Sequence, residues 1–98
     1  MLTFGVIGYG YWGPNIVRNL IAVNGVIVKA VCDLDAGARK KVKSLYPHID
    51  VCESDEGIIH SNEIDVIAIA TPVSTHFSLA KKALENGKHI FVEKPFTK

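Results

Sequence analysis

The 98-residue sequence has two cysteines, one methionine, one tryptophan and four prolines, and it contains no apolar run near the ~20 residues that a membrane-crossing helix needs. Two thiols give no disulfide framework of the kind small secreted domains use. Cys32 and Cys52 each sit in a short apolar segment, where a free thiol behaves as a small core residue, and neither is placed like a nucleophile. The four histidines, His48, His60, His76 and His89, share no helix face and no paired-ligand spacing, so the sequence offers no metal site. Charge of one sign is also missing. A formal net charge of +1 gives no field that would draw nucleic acid or a membrane surface. Met1 leads straight into a strand pattern without a basic, apolar leader, and the expectation is a cytoplasmic protein.

What remains is 48% apolar and 21% charged, the composition of one globular domain with a single small core. The basic run Arg39-Lys40-Lys41-Val42-Lys43 reads as the solvated face of a helix whose buried side is Ala38, Val42 and Leu45.

The most informative stretch is Gly8-Tyr9-Gly10-Tyr11-Trp12-Gly13, a G-x-G-x-x-G that follows the apolar run Leu2 to Ile7 and opens a helical pattern from Pro14 to Val23. Each glycine has its own task. Gly8 lets the chain turn sharply off the strand. Gly10 leaves the backbone bare, so that a pyrophosphate can approach the first amides of the helix, whose dipole favours an anion. Gly13 lets the helix pack closely on the strand. Pro14 falls in the first turn, where a missing N–H does little harm.

A second apolar run, Val26 to Cys32, closes on Asp33, at the ~20-residue distance beyond Gly13 expected of a carboxylate that accepts hydrogen bonds from an adenosine ribose. That carboxylate would repel a 2′-phosphate, which favours NAD over NADP. Leu34-Asp35-Ala36 supplies no arginine for such a phosphate, and Arg39 and Lys40 come a helical turn later. The same acid would also suit a plain strand-end turn beside the helix cap Asp35.

Taken in order, the pattern predicts a strand at Leu2 to Ile7, a helix with the apolar stripe Ile16, Val17, Leu20 and Ile21 stopped by Asn24-Gly25, and a strand at Val26 to Cys32. A helix from the cap Asp35 to about Leu45 ends at Tyr46-Pro47, because a residue before proline is pushed away from α geometry. Asp50 to Cys52 reads as a short strand, Ser54-Asp55-Glu56 as the start of a brief helix through Ile58 and Ile59, and Asp65 to Ala70 as a buried strand. A helix over about Ser74 to Asn86, with Phe77, Ala80, Ala83 and Leu84 inward, ends at Gly87 and leads to a strand at His89 to Val92. Strands alternating with helices at this spacing make an α/β, doubly wound parallel sheet of Rossmann type, about five strands in the order 3-2-1-4-5. Ligands of such sheets bind beyond the carboxyl ends of the strands, where Gly8, Asp33, Thr71 and Glu93 all fall.

Two further stretches lie on that rim, Ala70-Thr71-Pro72-Val73-Ser74-Thr75-His76 and Glu93-Lys94-Pro95. Together with Gly8 to Asn15 they make essentially the whole chain resemble the nucleotide-binding domain of the glucose-fructose oxidoreductase, inositol dehydrogenase and rhizopine-catabolism family (Gfo/Idh/MocA). The resemblance implies an NAD(P)-dependent oxidoreductase that moves a hydride between nicotinamide and a carbinol carbon of a sugar, cyclitol or nucleotide sugar. It implies that the glycine loop with Tyr11 and Trp12 binds cofactor, that Thr71, Pro72 and His76 lie along it, and that Glu93 is near the nicotinamide ribose. Lys94 would stand between nicotinamide and substrate as the catalytic cation, where positive charge favours a developing alkoxide. His76 has a local reading as well, as a first-turn helix residue satisfied by its neighbours.

Members of that family are longer, with a second α+β domain that holds most of the substrate and the usual acid/base histidine; no residue here takes that histidine's place by motif. The expectation is therefore a cofactor-binding domain of 98 residues, inactive alone, whose apolar last strand invites a homo-oligomer. Two other classes fit parts of the pattern. A non-catalytic NAD-binding module would share Gly8 to Asp33 but have no need of Lys94. An S-adenosylmethionine methyltransferase would share the first loop and the acid, but neither Gly13-Pro14 nor Glu93-Lys94-Pro95.

Overall fold

The computed structural model describes residues 1–92, and the expectations for Glu93, Lys94 and Pro95 lie outside the described residues. Five strands, β1 (Leu2–Ile7), β2 (Val26–Cys32), β3 (Asp50–Cys52), β4 (Val66–Ile69) and β5 (His89–Val92), form one parallel sheet in the order β3-β2-β1-β4-β5. Helices α1 (Gly13–Ile21), α2 (Ala36–Leu45), α3 (Glu56–Ile59) and α4 (His76–Glu85) make the crossovers, and a 3-10 turn at Val73–Thr75 precedes α4.

Because side chains alternate along a strand, each strand feeds two cores. On one face Phe4, Val6, Val28, Val31, Val66 and Ala68 pack with Ile16, Val17 and Leu20 of α1 and Val42 of α2. On the other, Ile7, Ala30, Cys32, Ile67 and Ile69 pack with Ile58 and Ile59 of α3 and with Leu79 and Ala83 of α4. Val28 and Ala30 point to opposite faces although two apart, since the pairing register with β1 shifts between Phe4 and Gly5 and leaves Lys29 as the extra residue. That lysine reaches Asp50 at 3.5 Å and Glu63 at 3.3 Å.

The ladder continues past the strand ends. Gly8 N donates to Cys32 O at 2.8 Å, Ala70 N to Ile7 O at 2.8 Å, and Asp33 N to Cys52 O at 3.0 Å. These bonds fasten the first residue of each connecting loop to the neighbouring strand, at the end of the sheet where α/β folds bind ligands.

Three details correct the sequence reading. α1 stops at Ile21, two residues before the expected Val23, in a turn where Val23 N donates to Leu20 O. Leu45 is 64% exposed, because α2 is anchored by Val42 and ends at once, Tyr46 leaving helical geometry at φ −134° and ψ 77° ahead of Pro47. In α4 the buried stripe is Leu79 and Ala83, while Phe77 is 81% and Leu84 63% exposed. The stripes 76/79/83 and 77/80/84 both have helical spacing. His76, which starts the first of these stripes, is tied to the Thr71 carbonyl at 2.7 Å, and the buried Leu79 and Ala83 follow it at helical spacing.

Candidate functional site: a glycine-loop cleft at the carboxyl ends of the strands

Gly8 adopts φ +100°, a left-handed geometry that L side chains avoid, and a Cβ there would lie 2.9 Å from Thr71 Cγ2 and 3.1 Å from the Ala70 carbonyl. At Gly13 the obstacle is backbone: an added Cβ would sit 2.5 Å from Gly8 O. The first and third glycines therefore let the loop fold onto itself and onto the end of β4. Gly10 is different, with nothing within 4 Å of where its Cβ would be. Its missing side chain serves open space in front of the helix start, and no side chain caps that start. Unpaired amides and a helix dipole facing open space suit an anion.

Between the glycines the side chains part company. Tyr9 is buried in the first core, where burial raises its phenol above the usual value. Tyr11 is exposed, and Trp12 is half-buried against the core; their rings meet edge to face at 4.7 Å and 81°.

Asp33 is held by the loop it faces. Its Oδ2 accepts from Tyr9 N at 2.7 Å, its Oδ1 accepts from Asp35 N at 2.8 Å, and Asp35 in turn caps α2 by accepting from Ala38 N at 2.9 Å. Carboxylate oxygens have further lone pairs, so both can still accept from a diol. Arg39 reaches back from α2, its Nη1 donating to Asp33 O at 2.8 Å and Leu34 O at 3.1 Å.

Two cavities open on this rim. The first, about 420 Å³, has apolar walls from Ile7, Leu34 and Leu79, with Glu53, Ser54, Asp55 and Lys82 among its polar groups. The second, about 440 Å³, is lined by Gly10, Tyr11, Trp12, Ala70 and Pro72 among others. Gly8, Asp33 and Thr71 line both. Glu56 braces the first cavity from outside, accepting from His60 Nε2 at 2.7 Å and Lys82 Nζ at 3.3 Å; these partners lower its pKa, His60 most. Cys32, on the cavity floor, has its thiol pushed up to about 12, chiefly by burial.

Of the residues singled out from sequence, Gly8, Gly10, Tyr11, Trp12, Asp33, Thr71 and Pro72 converge on these cavities, with Gly13 directly behind the loop. His76 does not line either cavity; its Nε2–H donates to Thr71 O at 2.7 Å, the local reading of that residue. Sequence reasoning missed Glu53, Ser54 and Asp55. Their signal was position, since they directly follow β3 and so fall at the same carboxyl end. Lys82 and Leu79 carried no comparable signal, because the phase of α4 decides which of its residues face the cleft.

Residues 2–98 match the oxidoreductase family with an NAD-binding Rossmann fold known as Gfo/Idh/MocA. The chain belongs to this family. It is 41% identical over 96 residues to the uncharacterized oxidoreductase YdgJ of Escherichia coli K12, covering 98% of this chain and 27% of that protein. It is 35% identical to a glycosyl hydrolase family 109 protein of Streptomyces filamentosus, covering 93% of this chain and 20% of that one. The fold superposes with a TM-score of 0.87 on scyllo-inositol dehydrogenase from Lactobacillus casei with bound NAD(H) and scyllo-inositol, at 23% identity, over 96% of this chain and 28% of the enzyme. The chain thus spans about a quarter of the length of the relatives it matches.

Proposed function

We propose that this chain is the NAD-binding domain of a cytoplasmic dehydrogenase acting on the CH–OH group of a sugar, cyclitol or nucleotide sugar. One observation carries the reading. Asp33, pinned by the Tyr9 amide, lies on the wall of both cavities, while Gly10 leaves open the space before α1. A dinucleotide needs this combination: a bare loop for the pyrophosphate and a fixed carboxylate for the ribose diol beside it.

In that assignment Gly8, Gly10 and Gly13 shape the pyrophosphate cradle and α1 presents its first amides to it. Asp33 accepts from the adenosine ribose hydroxyls and by its charge turns away a 2′-phosphate, which makes NAD the preferred cofactor. The first cavity suits adenine, with Ile7, Leu34 and Leu79 for its faces and Glu53 and Asp55 as acceptors for its amino group. Thr71 and Pro72 line the way toward the nicotinamide, and His76 contributes by holding the Thr71 carbonyl. Bound NAD would supply the hydride acceptor for the carbinol carbon. Family resemblance assigns Lys94 to the reacting hydroxyl and Glu93 to the nicotinamide ribose. The relative named as a glycosyl hydrolase favours a second outcome for the whole protein, net hydrolysis of a glycoside, which makes the same demand on this domain.

Titration calorimetry with NAD and NADP tests the reading. We expect NAD to bind at least tenfold more tightly than NADP, and no NAD reduction by the chain alone with myo-inositol or glucose. Equal or reversed affinities would overturn the NAD preference, and no binding of either dinucleotide would overturn the cofactor role.

A further inference from the structure

Thr71 and Thr75 bring two hydroxyls together where the chain leaves β4, Oγ1 to Oγ1 at 2.5 Å, and Thr75 Oγ1 also lies 2.7 Å from the Pro72 carbonyl oxygen. At such distances each pair of oxygens needs a proton between them. A hydroxyl has one proton to give and two lone pairs with which to receive. The Pro72 carbonyl has no proton, so Thr75 must donate to it, and the proton between the two hydroxyls is therefore that of Thr71. The direction of the chain of bonds is thereby set: Thr71 donates to Thr75, and Thr75 to Pro72. The backbone holds this arrangement in place, since Thr75 N donates to the same Pro72 carbonyl at 2.9 Å and the His76 ring donates to the Thr71 carbonyl at 2.7 Å. Among the described residues no further bond to either hydroxyl is recorded.

Both threonines line the first cavity, and Thr71 lines the second as well, together with Gly8 and Asp33. With both protons spent inside the protein, this wall offers a ligand lone pairs only. We propose that the Thr71 hydroxyl accepts a hydrogen bond from a ribose hydroxyl of the dinucleotide, and that Thr75 is the positioning residue that makes it an acceptor. This inference rests on the proposed dinucleotide site and goes beyond it in fixing the polarity of the β4 wall. A pyrophosphate brings acceptors and no protons, so it gains nothing from this wall and is held on the α1 side of the cleft, where the helix amides are. The adenine amino group has Glu53 and Asp55 as acceptors in the first cavity. Thr71 lies on the wall that the two cavities share, the place of a sugar beside the pyrophosphate, and a sugar hydroxyl carries the proton that Thr71 cannot supply. Without Thr75 Oγ1 the Thr71 O–H would be free to turn and could donate to phosphate instead. The sign of a substitution at Thr75 therefore separates the two polarities.

The test is titration of NAD, ADP-ribose and ADP into the 98-residue chain and its variants. Thr71→Val keeps the shape of the side chain and should weaken NAD binding about three- to tenfold, the scale of one hydrogen bond. Thr75→Val should weaken it by a similar factor, Thr75→Ser should restore it, and the double Thr71→Val/Thr75→Val chain should bind no more weakly than Thr71→Val alone, because Thr75 acts through Thr71. A loss at Thr71→Val that extends to ADP assigns the adenosine ribose; a loss with NAD and ADP-ribose but not with ADP assigns the nicotinamide ribose. A loss with NAD alone would put the donor on the nicotinamide ring and overturn the ribose assignment. Tighter or unchanged NAD binding by Thr75→Val would overturn the acceptor polarity, and additive losses in the double variant would show that Thr75 acts on the loop and not through Thr71. Each of these failures leaves the dinucleotide site standing, whereas an unsubstituted chain that binds none of the three probes removes both. Circular dichroism on every variant separates a lost contact from a lost fold. If Thr75→Val cannot fold, Thr71→Val against Thr71→Ser decides, and parental affinity in Thr71→Val overturns the proposal.

Discussion

The backbone amide of Tyr9 donates to Oδ2 of Asp33 across 2.7 Å, joining the middle of the glycine loop to the end of β2. One carboxylate therefore both secures the loop and faces the proposed ribose position. We predict that Asp33→Ala weakens NAD binding by roughly 1 to 3 kcal/mol, the scale of charge-assisted hydrogen bonds, as read by calorimetry. Undiminished affinity would place the ribose elsewhere.

The glycines separate by what stands opposite them. Gly10→Val should leave the far-ultraviolet circular dichroism and the melting temperature near those of the parent, because no atom lies within 4 Å of the new Cβ, and yet abolish NAD binding. Gly13→Ala forces a carbon to 2.5 Å from Gly8 O and should destabilise the fold itself by several degrees in Tm. A folded Gly10→Val chain with full affinity would show that the pyrophosphate does not cross this loop.

α4 offers a direct check of its phase. Leu79→Ala removes a side chain only 9% exposed from the second core and should cost about 2 to 4 kcal/mol in urea denaturation, whereas Phe77→Ala, at an 81% exposed position, should cost less than about 0.5 kcal/mol. A larger loss from Phe77 than from Leu79 would mean that the helix is rotated.

Alkaline pH should act through Cys32. Burial favours its neutral thiol and pushes the folded-state pKa up to about 12, above the ~8.5 of a free cysteine. The stability this confers is fully present below the unfolded value and is lost as pH rises from there through the folded one. Cys32→Ala should therefore lose less stability than the parent between pH ~8.5 and ~12. Parallel urea-midpoint profiles for the two chains over that window would refute it. At neutral pH the same thiol should react slowly with alkylating reagents.

β5 borders the sheet with β4 as its one recorded strand partner, and Phe91 and Val92 are each 38% exposed, with exposed Leu84 on the adjoining helix. His89–Val92 contains none of the lysines or prolines that blunt such edges. We predict that the isolated chain self-associates at micromolar concentrations, two-fold pairing being the simplest closed arrangement. Light scattering that reports a monomer throughout that range would rule this out.

Strand identities, sheet order and the convergence of Gly8, Asp33 and Thr71 were legible because each rests on local pattern: apolar runs of strand length, a proline or a glycine at a boundary, an acid where a run stops. The inward face of α4 was legible only in part: Ala83 is buried and Ala80 packs against the second core as their spacing suggested, but Phe77 and Leu84, which fit helical spacing as well as Leu79 does, are exposed and Leu79 is buried. Tyr9 illustrates the same limit. An unspecified position inside a glycine motif gives no hint that its ring is buried and its amide holds the Asp33 carboxylate. Arg39 was visible in sequence as a cation one turn too late for the usual position, but not that its side chain reaches back to the strand end.

The amide bonds from Gly8 to Cys32, from Ala70 to Ile7 and from Asp33 to Cys52 bear on how quickly a ligand can come and go. A loop that must be ordered around its ligand gives up conformational entropy at every encounter, and each departure waits for it to open again. Here the first residue of each of three loops is already tied to the sheet when the chain folds. On the β1, β2 and β4 side of the cleft, arrival then becomes a matter of diffusion and orientation, and residence time a matter of contacts broken. The timing of any closure would fall to whatever covers the nicotinamide end.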